Sequence, residues 1–300
     1  MSYPTSPPPT RSLAPIGSLE KLLSDNSDWI SPEQADLYAA QFIDYLDASM
    51  SFDRISILSF DVFDTLLLRN EKYELYRYLE ISQRVQTCLQ QRGFNSATVW
   101  DIYAARLVAF KTCYRTVPHQ LMSREGRLLD ILTLMLKLLA IEPSWVNEVL
   151  DEVLDIELTY EQQNLRPNPL LDRLLQHPRI VNKAIILVSD MYLAGTHIHQ
   201  LVQHFYPHLQ CQAVYSSADY SLTKSNGLLF EQVIRDLKVE RSTILHWGDN
   251  FHADVKSAKS KGLQAIHLPI PDRALRQRAE HKQQFLATLE QQGFDLTLVY

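Results

Sequence analysis

Glycine is scarce in this chain, 8 residues in 300, and no stretch reads G-x-G-x-x-G or G-x-x-x-x-G-K-[ST]. The two common glycine-rich loops that cradle nucleotide phosphates are thereby excluded, so any phosphate chemistry must be organised by other groups. Cysteine is scarcer still. Cys88, Cys113 and Cys211 lie far apart without C-x-x-C spacing, which argues against a disulfide framework or a zinc site and for thiols in a reducing compartment. No block of consecutive basic residues occurs and the formal net charge is −6, so a nucleic-acid-binding surface is not expected. The longest apolar stretch, Leu128 to Ile141, is broken by Asp130 and Lys137 and is too short to span a bilayer. No basic patch followed by an apolar run marks a signal peptide at the N-terminus. The expected setting is cytoplasmic, with neither membrane nor nucleic acid as partner.

What is present is ordinary for a folded chain: 46% apolar and 21% charged residues, with length for roughly two average domains. Residues 1–15 hold five of the 14 prolines and read as a disordered tail. An N-terminal helical segment follows over 16–50. Its helix opens at Ser31-Pro32-Glu33-Gln34, with serine as cap, proline in the first turn and Gln34 placed to complete a capping box.

Ile55 to Asp61 is a β-rich run ending abruptly in a carboxylate. Its near-continuous apolar character suits a parallel strand covered on both faces. Similar runs lie at Ala184–Ser189, Thr243–Trp247 and Gln264–Leu268, with a weaker one at Gln212–Ser216. Helical patterns at Ala194–Tyr206, Gly227–Leu237 and Ala253–Lys261 separate them. This alternation predicts an α/β fold, a Rossmann-like parallel sheet with helices on both faces. Residues 51–70 and 167–300 form its core. Residues 71–166 differ in character, with two glycines, two prolines and helical periodicity throughout. They predict four helices, with breaks near Gly93, Pro118 and Pro143, forming an all-helical cap inserted after the first core strand.

In open parallel sheets, function collects at the carboxyl ends of the strands. Those ends carry Asp61, Ser189-Asp190 and Gly248-Asp249-Asn250, with Asp254 five residues after Asp249 and Lys224 in the loop before the Gly227 helix. Carboxylates gathered at adjacent strand ends repel unless a hard cation lies among them, which suits Mg²⁺. A carboxylate can also act as a nucleophile towards phosphorus, while a hydroxyl and an ammonium supply the donor and charge that a transferring phosphoryl group needs.

The run from Ser59 to Leu67 (S-F-D-V-F-D-T-L-L) resembles motif I of the haloacid dehalogenase-like (HAD) superfamily. Ile185 to Ser189 resembles motif II, Lys224 motif III, and Gly248-Asp249 with Asp254 the G-D-x-x-x-x-D form of motif IV. The likeness spans about 55–270, and the helical insertion sits where that superfamily places its C1 cap. The resemblance implies a hydrolase, a phosphatase acting on a small phosphorylated substrate, with Asp61 as nucleophile and magnesium ligand. The Phe63 carbonyl and Asp249 would be further ligands of Mg²⁺, and Asp254 would support the metal or Lys224. Ser189 and Lys224 would hold the phosphoryl oxygens. Thr65 and Asp190 fall beside them as substrate-binding candidates, although Asp190 also reads as a turn or cap residue, and Thr65 and Asp64 as braces for the loop. More narrowly, F-D-V-F-D-T-L-L-L-R, V-S-D-M-Y-L and T-K-x-x-G-x-L-F resemble a bacterial branch of uncharacterised HAD-like hydrolases.

One position departs from the phosphatase pattern. HAD phosphatases carry a second aspartate two residues after the nucleophile, as general acid and base, and here that position is Phe63. Strand alternation sends Asp64 to the opposite side. Weak turnover of simple phosphomonoesters follows, with a catalytically impaired binding or regulatory module as the alternative. Metal-independent carbon–halogen hydrolysis is the poorer fit, because motif IV is intact. In the cap, Trp100, Tyr103, Tyr114 and Leu128 read as core. Arg106, Lys111 and Arg115 could line the cleft and meet an anionic substrate, but read better as a solvated helix face, as do Glu148, Asp151, Glu152 and Asp155. No sequence feature identifies a protein partner.

Overall fold

The computed structural model describes residues 28–116 and 123–299. The proline-rich tail and the break expected near Pro118 lie outside the described residues. The chain starts with α1 (Pro32–Ser49), β1 (Ile57–Phe60) and a short β2 (Leu67–Arg69). Four helices follow: α2 (Glu74–Gln91), α3 (Val99–Thr116), α4 (Leu128–Leu138) and α5 (Pro143–Asn164). Then come β3 (Leu165–Pro167), α6 (Pro169–Leu175), β4 (Ala184–Ser189), α7 (Gly195–Phe205), β5 (Cys211–Ser216) and the single turn α8 (Ser217–Tyr220). The last part holds α9 (Leu228–Leu237), β6 (Ile244–Gly248), a π-helical turn at Phe251–Lys256 running into α10 (Ser257–Ser260), β7 (Gln264–His267) and α11 (Asp272–Gln291).

Five strands form one sheet in the order β5-β4-β1-β6-β7, and every neighbouring pair is parallel. The chain winds outward from β1 through β4 to β5, then returns to the other side of β1 through β6 and β7. The winding reverses between β1 and β6, and a crevice opens at such a reversal. Alternate residues supply the two faces. Leu58, Phe60, Leu187, Leu245 and Trp247 pack on one side with Phe42 and Leu46 of α1. Ile57, Ile186, Val188 and Ile244 pack on the other with Leu229, Phe230 and Val233 of α9. This is the expected α/β arrangement, a Rossmann-like parallel core with an all-helical insertion after its first strand. No helix among the described residues is long and apolar enough to cross a membrane.

The insertion packs α2 on α3 and α5, and α4 on α3 and α5. Two of its features differ from the sequence reading. Its chain enters and leaves through an antiparallel ribbon, Leu67 opposite Pro167 and Arg69 opposite Leu165, whose three-residue strands are too short to show any periodicity. Arg106, expected on a solvated face, is 1% exposed. It pairs with the equally buried Glu157 at 2.6 Å between the rings of Tyr78 and Tyr192. Periodicity cannot mark a helix position that buries a charge against another buried charge. The C-terminal helix also reaches the insertion, where Phe285 of α11 meets Tyr73, Tyr76 and Tyr103 edge-on or tilted.

Helix α1 is fixed to the sheet by Phe42, stacked on Trp247 with centroids 4.9 Å apart and fully buried. Phe42→Ala is expected to lower unfolding stability by about 3–5 kcal/mol, measured by urea denaturation.

Candidate functional site

The carboxyl ends of β1, β4 and β6 bring together most of the residues singled out above. Lys224 is 3% exposed, and its Nζ donates to Asp61 Oδ1 at 2.5 Å and pairs with Asp254 Oδ1 at 2.6 Å. Thr65 Oγ1 donates to the other Asp61 oxygen at 3.0 Å. The Lys224 backbone N–H donates to both oxygens of Asp190, at 2.8 and 3.0 Å. Asp190 therefore shapes the lysine loop, which fits the reading of it as a turn residue. Ser189 Oγ is buried and meets no hydrogen-bond partner among the described residues.

The segment after β6 departs locally from an α-helix. A wide π turn at Phe251–Lys256 replaces the expected start of the helix, a form frequent at functional sites. Asn250 caps it by accepting from the N–H groups of His252 and Ala253. The turn swings Asp254 back so that its Oδ2 accepts the Asn250 N–H at 2.9 Å. Gly248 makes room for this, because a Cβ there would lie 2.3 Å from the Asp254 carboxylate.

Oxygen atoms of Asp61, Asp249 and Asp254 lie within 4.8 Å of one another. Lys224 supplies one positive charge against these three carboxylates, and its ammonium contacts Asp61 and Asp254. Burial, together with the facing charges of Asp61, Asp64 and Asp254, pushes the Asp249 carboxyl up to about 8. Burial likewise raises Asp61 to about 6, opposed by Lys224. Asp254 is held well below the ordinary carboxylate range: burial raises it, but the Lys224 charge and hydrogen bonds from His246 and Lys224 outweigh that. Burial disfavours the charged Lys224, yet Asp254, Asp61 and Asp190 hold its ammonium far above the usual lysine value. A part-buried carboxylate facing its own kind is the situation a hard cation relieves, so Asp61, Asp249 and Asp254 fit a divalent ion with oxygen preference.

The loop after β1 is fixed from outside. Asp64 adopts a left-handed backbone, φ 60°, which aspartate tolerates better than most residues. Its carboxylate takes a two-pronged contact from Arg278 of α11, at 2.9 and 2.7 Å. These bonds keep its pKa low in spite of burial. Asp64 is thus committed to bracing and does not stand in for an acid at position 63. Phe63 is itself buried, with the Arg69 guanidinium 4.2 Å from its ring centre. On the far side of the loop, Asn168 donates from Nδ2 to the Thr65 carbonyl at 2.8 Å. Neither Arg278 nor Asn168 carried a sequence signal, since each meets its partner across more than a hundred residues. Glu125 was also missed. It accepts from Ser217 Oγ at 2.7 Å, tying the insertion to the end of β5, and burial raises it to about 7.

These features define the class: an α/β protein with a lysine-bridged carboxylate cluster at the strand ends where the winding reverses. No protein-family model matches the chain, and no curated protein matches it. Several solved structures resemble it. A 2-haloacid dehalogenase from Pseudomonas syringae is 16% identical, with 71% of this chain and 86% of that chain covered at a TM-score of 0.46. A predicted phosphoglycolate phosphatase from Haemophilus somnus is 11% identical over 73% of this chain and 89% of that chain, at 0.42. A putative HAD-hydrolase from Bacillus subtilis, bound to magnesium, is 14% identical over 71% and 88%, at 0.40. At these identities and scores the likenesses decide nothing about chemistry, and the fold rests on the strand order described above.

Two outcomes are expected. Gly248→Ala forces Asp254 aside and destabilises the protein by about 1–3 kcal/mol, read by chemical denaturation. The metal-free protein loses stability between about pH 4 and pH 8. Over that range folded Asp249, and Asp61 up to about 6, hold protons that the unfolded chain has released. A thermal melting series across pH without divalent ions checks this, and a melting temperature rising steadily towards pH 8 contradicts it.

Proposed function

We propose that the chain is a HAD-superfamily hydrolase, of the bacterial branch its motifs resemble, and that it is a Mg²⁺-dependent phosphohydrolase or phosphotransferase acting on a small phosphorylated metabolite in the cytoplasm. The observation that carries this reading is the buried Lys224 ammonium bridging Asp61 and Asp254, with Asp249 left facing them. Asp61, the Phe63 carbonyl and Asp249 would hold the ion, with Asp254 behind them. When bound, the ion supplies charge that offsets the repulsion between Asp61 and the phosphoryl oxygens.

Asp61 is then the nucleophile. One oxygen of its carboxylate attacks phosphorus through a lone pair not used in its hydrogen bond, as the bond to the leaving oxygen breaks, and that oxygen departs with the electron pair. Lys224 keeps Asp61 ionised and oriented, and Thr65 holds the second Asp61 oxygen at 3.0 Å. The Ser189 hydroxyl, which meets no partner among the described residues, can donate to a phosphoryl oxygen. Water next attacks phosphorus of the Asp61 acyl phosphate, the bond to Asp61 breaks, and phosphate and the carboxylate are regenerated. Phe63 provides no proton for the leaving oxygen, and a missing general acid costs about 10²–10⁴ in rate. Substrates whose leaving group needs no added proton, such as acyl phosphates, suit this site best.

The burial of Phe63 beneath Arg69 favours one other reading, a module that binds a phosphorylated ligand without turning it over. Hydrolysis of acyl phosphates, nucleotides and sugar phosphates with and without Mg²⁺ separates the two. A Mg²⁺-dependent burst of phosphate, lost in Asp61→Asn, is expected from the enzyme. Ligand-induced thermal stabilisation without product is the outcome that sinks it. Phe63→Asp is expected to raise monoester turnover, and no gain would show that the absent acid is not the limitation.

A further inference from the structure

Ser59 and His246 are both completely buried and sit opposite each other on β1 and β6. Their surroundings are apolar: Ile57, Ile186, Val188, Ile244 and Phe230, with the Phe230 ring edge-on to the imidazole at 4.8 Å. Burying a hydroxyl and an imidazole in such a place is costly when either is left unpaired, whereas two apolar side chains of similar shape carry no such cost. The pair is not left unpaired. Ser59 Oγ lies 2.7 Å from His246 Nδ1, and His246 Nε2 lies 3.2 Å from Asp254 Oδ1.

The chemistry of the partners assigns the protons. Ionised Asp254 can only accept, so Nε2 carries the hydrogen. Nδ1 is then the acceptor, and the Ser59 hydroxyl donates to it. Burial lowers the pKa of His246, consistent with a neutral ring. The same Asp254 oxygen meets Lys224 Nζ at 2.6 Å, and its partner oxygen is taken by the Asn250 N–H. A directed line of hydrogen bonds thus runs from the sheet interior to the ammonium that touches Asp61.

We infer that His246 is a positioning residue: its Nε2–H fixes the Asp254 carboxylate so that Asp254 holds the Lys224 ammonium against Asp61. Ionised Asp254 sets the tautomer, and the Ser59 hydroxyl satisfies the Nδ1 acceptor that this leaves in the sheet interior. The inference rests on the reading of the site under Proposed function, and its test is read first on metal-free protein without substrate.

Lys224 is acylated with acetic anhydride and its modification followed by peptide mass spectrometry in wild type, His246→Gln and His246→Phe. Glutamine returns an amide N–H near the place of Nε2, whereas phenylalanine fills the volume without a donor. The glutamine variant is expected to protect Lys224 as wild type does. The phenylalanine variant, folded by circular dichroism, is expected to be modified severalfold faster and to bind Mg²⁺ about 10-fold more weakly in calorimetry. Where His246→Phe does not fold, His246→Leu carries the same expectation. Equal protection of Lys224 in all variants overturns the role of His246, whether or not the protein turns over phosphate. The expected protection pattern in a protein that binds no Mg²⁺ supports His246 and overturns the phosphohydrolase reading instead.

Discussion

A desolvated ammonium group is tolerated inside a protein only when negative charge is held against it. Lys224 places that demand at the centre of this fold. Its ammonium takes carboxylate oxygens from Asp61 on one strand and from the turn after another, so β1 and β6 have to be neighbours and their ends have to be level. The parallel register of the two strands, the π turn that brings Asp254 back and the bare Cα of Gly248 are the geometric terms on which the demand is met. Breaking the pair from either side leaves a buried charge alone, which is why the two partners are best treated as one unit.

The loop that follows Asp61 is held between two clamps that do not belong to the sheet. Arg278 of the C-terminal helix grips Asp64, and Asn168, where the insertion returns to the core, grips the Thr65 carbonyl. Thr65 in turn touches Asp61. The position of the insertion and the orientation of Asp61 are therefore mechanically linked through the short β2–β3 ribbon. The insertion also touches the core further along, where Glu125 meets Ser217 and the Arg127 side chain donates to the Ala218 carbonyl.

The parts of this architecture that were legible in the sequence share a cause. Ile57–Phe60, Ala184–Ser189 and Ile244–Gly248 lie between helical layers, and burial on both faces writes a continuous apolar run into the chain. Asp61, Ser189 and Asp249 stand out because each interrupts such a run at its carboxyl end. The spacing from Asp249 to Asp254 was visible, but the π turn that makes it work was not, since nothing in F-H-A-D-V-K distinguishes a wide turn from an ordinary one. The β2–β3 ribbon is too short for a pattern. Arg106 and Arg278 were opaque for another reason: an arginine looks the same in sequence whether water or a distant carboxylate receives it. His246 lay hidden within its own strand, where one polar residue among apolar ones reads as noise until its partners are seen.

The bond between Asp64 and Arg278 joins residues 214 positions apart. A nascent chain emerges from the ribosome in order, and its earlier parts begin to fold before its later parts exist. The first strand, the helical insertion and even β6 are all synthesised before Arg278. Until that residue arrives, Asp64 has only the nearby Arg69, its backbone N–H and its charge, and the loop beside Asp61 lacks its outer clamp. The clamp on Asp64 is thus added after every strand of the sheet has been made, and a shorter nascent chain holds Asp61 in a loop that is braced on one side only.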